Sequence, residues 1–359
     1  MRLKNILGDD LYYNEYKMKA LRKEYVLGLV FFLFFVGCRE KNGNEFLSGI
    51  KNIKGSLMDV DCLIGRPGGL ILYDSLLFVY DPYEGNVLTV LDTRNSQCKN
   101  RLLSIGQGPG EVDGPVKLSV TPKQKKMNAF QMQSGIFSMY DINGIELVYQ
   151  ESVHFPVHFS DRPVNVVAIQ DAFIGIGLFE KGRYHVYDKQ GNQIHEVGLY
   201  PFDGEKMNPQ ARFFLYQGHL CSQPDGTHFA MGSSYSDNIE FYEIRENQVE
   251  LLEKYGSREV KAKFNQVLEL DDDCLLGYSG SYGTERYCYM LYSGKTYSEN
   301  KHRRIGATHI FVFEWDGNFV KSYRLGNETL AFCVDEDNNI FYGIVLHRDE
   351  FVIMKFEMG

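Results

Sequence analysis

Gly135-Ile136-Phe137-Ser138-Met139-Tyr140-Asp141-Ile142-Asn143-Gly144 decides how the rest of the chain is read. A short run of aromatic and β-branched residues ending in Asp, Asn and Gly is a strand entering a hairpin turn. Asp and Asn bond their own backbone there, and Gly accepts positive φ. The same cadence recurs at 86–92, at 183–191, more weakly at 238–243, and again at 309–317 and 350–357. Each copy is an alternating strand closed by an acidic residue: Asp92, Asp141, Asp188, Glu243, Asp316 and Glu357. The steps between them are 49, 47, 55, 73 and 41 residues. Upstream of an anchor lies a partner strand, as at 75–80 and 339–344. Units of roughly 40–50 residues with several strands each predict β-propeller blades. Six copies predict an all-β, six-bladed propeller.

Working outward, helical periodicity is nearly absent after residue 45, and 24 Tyr and 25 Phe suit pleated surfaces. The 73-residue step is the misfit. It contains the stretches 279–286 and 298–304, read as an elaborated hairpin inside the fifth blade, with a short seventh blade as the rival. The last copy ends two residues before the C-terminus, which leaves the final blade one strand short. The segment 46–63, alternating from Leu57 to Leu63, is expected to supply that N-terminal strand and close the ring. An open ring would expose two unpaired edges.

Ahead of the repeat, Lys17, Lys19, Arg22 and Lys23 precede an apolar run at 26–37 that stops at Cys38-Arg39-Glu40-Lys41. A basic cluster and a short apolar stretch read as a secretory signal, since a membrane span needs roughly 20 apolar residues. Phe35-Val36-Gly37-Cys38 resembles the lipobox of bacterial lipoproteins, with Phe35 where Leu is usual. That resemblance implies acylation of Cys38, which would become the mature N-terminus. Residues 1–37 are then a signal peptide (Met18 is an alternative start), 38–45 a lipidated tether and 46–359 the propeller. Acyl chains contribute about 0.8 kcal/mol per buried CH₂, so the membrane is the first expected partner.

The chain has 38 Lys+Arg and 47 Asp+Glu; losing a leader with six basic and four acidic residues takes the net charge from −9 to −11. Such a domain is a poor nucleic-acid binder, because that affinity rests on neutralising phosphates. Beyond Cys38 the cysteines are Cys62, Cys98, Cys221, Cys274, Cys288 and Cys333, widely spaced and read as buried thiols rather than a disulfide framework.

Gly106 to Glu111 imitates a phosphate loop, but Pro109 removes a donor and no helix follows, so it reads as a turn between strands. His154 and His158 would align as ligands only on a helix, which Pro156 opposes. The acidic turns 271–273 and 335–339 could hold a loosely bound calcium ion if other loops converge; no other cofactor and no catalytic residue is expected. Ser233-Ser234 lacks a nucleophile elbow. Tyr282, Tyr287, Tyr289, Tyr292 and Tyr297 are the candidate ligand contacts, because aromatic rings stack on sugars and this stretch departs from the repeat.

Taken together, 105–111, 311–318 and 330–344 make the chain similar to the TolB-like six-bladed β-propeller lipoproteins of Bacteroides-type bacteria. The resemblance covers 46–359 and the lipobox, and is weakest between 200 and 300. It implies a six-bladed fold and export, and it carries over no catalytic residue. The expected role is a non-catalytic, membrane-tethered binding or scaffold module for a protein or glycan at the cell envelope. The alternative is a metal-dependent enzyme of lactonase or sugar-lyase type. The mixed charges at Arg39-Glu40-Lys41 favour the periplasmic face of the outer membrane over the cell surface.

Overall fold

The computed structural model describes residues 46–158, 161–200, 207–245, 248–256, 259–300 and 306–359. The leader and Cys38 lie outside the described residues. The rest is an all-β propeller.

Two short strands come first, β1 (Lys51–Ile53) and β2 (Gly55–Leu57). Four antiparallel sheets of four strands follow in part of the chain order. The first holds β3 (Gly69–Tyr73), β4 (Leu76–Tyr83), β5 (Asn86–Asp92) and β6 (Gln97–Ser104). The second holds β7 (Val116–Thr121), β8 (Lys126–Gln131), β9 (Ile136–Asn143) and β10 (Glu146–His154). The third holds β11 (Arg162–Ile169), β12 (Ala172–Leu178), β13 (Tyr184–Tyr187) and β14 (Gln193–Val197). After the helix α1 (Pro209–Tyr216), the fourth holds β15 (Gly218–Ser222), β16 (His228–Ser233), β17 (Ile239–Arg245) and β18 (Gln248–Tyr255). A two-stranded hairpin, β19 (Ala262–Asn265) and β20 (Val267–Leu270), stands apart.

The remaining strands are β21 (Tyr278–Gly283), β22 (Tyr287–Tyr292), β23 (Ala307–Glu314), β24 (Phe319–Asp335), β25 (Ile340–His347) and β26 (Glu350–Glu357). They form one path in the order β2-β26-β25-β24-β23-β22-β21. The 17-residue β24 serves two neighbours on that path, Phe319 to Arg324 pairing with β23 and Ala331 to Asp335 with β25, and also takes β1 beside it.

The repeated motif falls on β5, β9, β13, β17, β23 and β26, and in the four four-stranded sheets it is the third strand. Three of its acidic anchors cap turns as expected, while Asp141, Glu243 and Glu357 lie in β9, β17 and β26. The Asp92 carboxylate accepts from the backbone N–H and Nε of Arg94, at 3.0 and 2.9 Å. Asp188 likewise accepts from the N–H groups of Gln190 and Asn192, and Asp316 from that of Asn318. The Arg94 side-chain hydrogen bond, ahead of its backbone one, pulls the Asp92 pKa down to about 2.

The expected alternation is corrected by the structure. From Val87 to Asp92 every residue of β5 is buried, as is all of β13. Neighbouring sheets cover both faces of these strands. Leu88 and Val90 join a core with Met127 and Ala129 of the second sheet. Leu77 and Leu91 join another core with Ile344 and Ile353 of the last sheet. Such strands read as continuous apolar runs, while the outermost β14, with four of its five residues exposed, carries little of the pattern.

A second correction concerns the long step. Residues 279–286 fall on β21 and the tight turn that leads to β22, and are not an insertion. The added material among the described residues is the β19–β20 hairpin and the irregular segment 293–300; of the stretch 298–304, residues 301–304 lie outside the described residues. The hairpin packs on α1 through stacked Phe214 and Phe264 rings, 5.2 Å apart.

The N-terminal segment is held at several points. Phe46 is 2% exposed and stacks on Phe319 at 4.8 Å, with Tyr255 and Phe313 edge-on. β1 pairs in parallel with Tyr323 to Leu325 of β24, a contact the sequence did not predict. β2 pairs antiparallel with β26, Gly55 opposite Phe356 and Leu57 opposite Met354. Lys51 also donates to the Gly359 carbonyl at 2.7 Å.

Candidate functional site

The innermost strands enclose a cavity of about 480 Å³. Its wall takes residues from six of them: β3, β7, β11, β15, β21 and the second half of β24. Inner strands must leave the axis open, because converging sheets cannot all interdigitate there; small residues such as Gly69, Gly218 and Gly280 thicken the wall least.

The lining mixes polar and apolar groups. Leu70, Val167 and Phe332 supply greasy patches, and Lys117, Asn165, His219, Ser279 and Ser281 supply polar ones. Lys117 belongs to the second sheet and His219 to the fourth, so the two approach one another across the lumen. Burial pulls the His219 imidazole down to about 3, with the Lys117 charge adding to the effect, and the ring is neutral at physiological pH. Lys117 is open to the lumen but closely surrounded by protein, and that burial lowers its pKa. It makes no hydrogen bond or ion pair with any described residue. Ser279 keeps a buried Oγ with no partner. Asp225 is the single carboxylate on the wall among the described residues, and it accepts from the Thr227 N–H at 2.9 Å and Oγ1 at 2.7 Å.

A second polar centre lies between the third and fourth sheets. Arg183, 2% exposed, donates Nη1 to Glu240 Oε2 at 2.9 Å. Tyr184 and Tyr242 donate to the same oxygen at 2.9 and 2.8 Å, and Lys254 stands 3.9 Å from Oε1. Burial is the largest single influence and opposes the Arg183 charge, but Glu240 together with Tyr184, Tyr242 and Tyr200 holds the guanidinium above its ordinary pKa. The Arg183 Nη1, the Glu240 Oε2 and both tyrosine hydroxyls are paired with one another, which is the arrangement of a structural cluster, although the buried Arg183 Nε has no partner among the described residues.

The five sequence-predicted tyrosines do not share one surface. Tyr282 lines the cavity and stays within 3.4 Å of both the N–H and the carbonyl of Leu72. Tyr289 is buried and donates to Glu336 at 2.7 Å, and the half-buried Tyr287 meets it edge-on. Tyr292 packs between Tyr278 and Phe311. Only Tyr297 lies in the irregular segment, half-buried, its N–H bonded to the Cys274 carbonyl. Lys117, His219 and Ser279 went unnoticed in the sequence; the one available signal was a lone lysine in the strand pattern 116–120.

The other sequence candidates resolve locally. At the phosphate-loop look-alike, Glu111 turns its own carboxylate onto the Gly108 N–H at 2.8 Å. A Cβ on Gly106 would stand 2.0 Å from that carboxylate, so a larger residue there would have to displace the Glu111 side chain from its present position. Asp335 caps the turn to Asn338 at 3.0 Å, and Asp273 pairs with Lys261. His154 and His158 are both exposed, and among the described residues no group of three or more His, Cys, Asp or Glu is placed to hold a metal ion. Cys62, Cys98, Cys221, Cys274, Cys288 and Cys333 are free thiols, with the sulfurs of Cys221 and Cys288 3.6 Å apart.

With four-stranded sheets set around an axial cavity, comparison with known families is decisive: residues 48–337 match the TolB-like 6-blade propeller-like family. The chain belongs to that family. Two solved structures share the propeller fold. One is a protein described as exported, from Bacteroides fragilis NCTC 9343, with 12% identity, a TM-score of 0.54, and 88% of this chain and 96% of that one covered. The other is a DUF4221 family member from Bacteroides vulgatus ATCC 8482, with 9% identity, a TM-score of 0.53, and coverage of 86% and 97%. Among curated proteins, no sequence matches.

Proposed function

We propose that this TolB-like chain is an exported, lipid-tethered propeller whose axial channel binds a glycan without transforming it. The observation that carries the reading is the channel itself, large enough for a sugar and walled by side chains that offer both apolar contact and hydrogen bonds. The enzyme alternative needs acidic and amide ligands from several blades converging on the axis. Asp225 is the sole carboxylate lining the channel among the described residues, and Thr227 already occupies it. A glycan array tests the binding reading. Binding by the wild-type chain that is lost in Ser281→Trp, a plug in the channel wall, supports it; binding that survives the plug, as a protein-face binder or scaffold would show, overturns it.

Six blades fit the six inner strands, if the eight-stranded sheet is two blades sharing β24. The pairing of β2 with β26 supports closure of the ring by the N-terminal segment. Deleting residues 46–63 should then cause aggregation or loss of cooperative unfolding, whereas an unchanged midpoint and steepness would refute closure.

Export and tethering rest on the leader and the lipobox, supported by the neighbour described as exported. Metabolic labelling with palmitate should mark the wild-type chain and not Cys38→Ala. Protease treatment of intact cells separates the periplasmic face of the outer membrane, which the tether charges favour, from the cell surface.

A further inference from the structure

The channel wall does not share the acidic excess of the chain. Acidic residues outnumber basic ones by 47 to 38, yet the wall carries a lysine, a histidine and one occupied carboxylate. Their placement is ordered along the axis. Four antiparallel strands return the chain to the end where the next inner strand begins, so inner strands all run the same way. Lys117, His219 and Ser279 are each the second residue of their strand, which puts them at one end. Asp225 comes after β15 and belongs to the other end.

At the lysine end, the cation has no partner among the described residues, and the buried Ser279 Oγ has none either. Lys117 is exposed to the lumen and has no counter-charge there, so it adds no ion pair to the fold, and an apolar side chain would complete the same wall. Fold stability therefore gives no reason for Lys117. A lone positive group between low-dielectric walls does concentrate anions.

We propose that this end of the channel binds the anionic group of a sugar-sized acidic saccharide, a carboxylate, sulfate or phosphate, with Lys117 as counter-charge and Ser279 and His219 as hydrogen-bonding partners. The inference rests on the reading that the channel binds a glycan, and it narrows the ligand. The cavity of about 480 Å³ accommodates such a molecule beside the Phe332 and Tyr282 patch.

Titration calorimetry on the full chain in detergent tests it, with glucuronate, glucose 6-sulfate, glucose 6-phosphate and uncharged glucose as probes. The expected result is that an acidic sugar binds about tenfold or more tighter than glucose. Lys117→Met should abolish that preference, while Lys117→Arg, which keeps the charge, should retain it. The three acidic probes identify which anion is preferred. Equal affinity for charged and uncharged sugars, or an acidic preference that persists in Lys117→Met, overturns the inference. If the array shows neutral glycans bound in a way that Ser281→Trp blocks, and calorimetry shows no acidic preference, the anion site fails and the channel reading stands. If array binding survives Ser281→Trp, both fail.

Discussion

Two deeply placed cations behave in opposite ways. Arg183 is fully sealed between sheets, and its charge is answered by Glu240, whose same oxygen also receives two tyrosine hydroxyls. Lys117 is surrounded by protein too, yet its ammonium faces a lumen and meets no carboxylate. A buried charge answered by a counter-ion pins two sheets in register; one without a counter-ion is held available. The contrast separates the part of the polar interior that builds the propeller from the part that can recognise something.

The largest effect is expected from Glu240→Gln, which leaves Arg183 buried without its counter-ion. Chemical denaturation should show a loss of about 3–5 kcal/mol. If the variant is as stable as the wild type, the Arg183 cluster is not structural and the contrast disappears. Next comes Tyr242→Phe, which removes one donor from the same carboxylate and should cost about 1.5–3 kcal/mol. A negligible change would mean that Tyr184 and Arg183 suffice.

On the channel side, Lys117→Met should leave the thermal midpoint unchanged or slightly raised, because an unpaired charge is removed and an apolar group takes its place. A clear drop in midpoint would show that Lys117 has a structural partner and would erase the difference from Arg183. The smallest effect concerns pH. His219 has a folded pKa near 3 against 6.5 unfolded, so the fold resists its protonation. Its contribution is fully present above pH 6.5 and is lost as the pH falls from there through 3. His219→Asn should therefore lose less stability than the wild type between pH 7 and 4, read from denaturation midpoints. Parallel acid limbs would place the imidazole in open water.

The blades were legible because their third strands lie between two neighbouring sheets and must be apolar almost throughout. Val90 and Leu91 satisfy different cores on opposite faces, so the run repeats in each unit. The acidic anchors were legible for a local reason: Asp92 and Asp316 bond backbone two residues on. The aromatic cluster does not form one surface. Tyr287, Tyr289 and Tyr292 are common strand residues that pack between sheets, and sequence alone does not say which side of a strand meets the axis. The parallel pairing of β1 with β24 was equally hidden, since three residues carry no periodic signal.

What the amino-acid order determined by itself is the unit: short strands, their turn caps and the spacing at which they return, all set by interactions a few residues apart. What only the tertiary fold decided is which side chains face the lumen. Lys117, His219 and Ser279 lie on separate sheets and line one cavity because the sheets converge on one axis, a relation that no local pattern encodes.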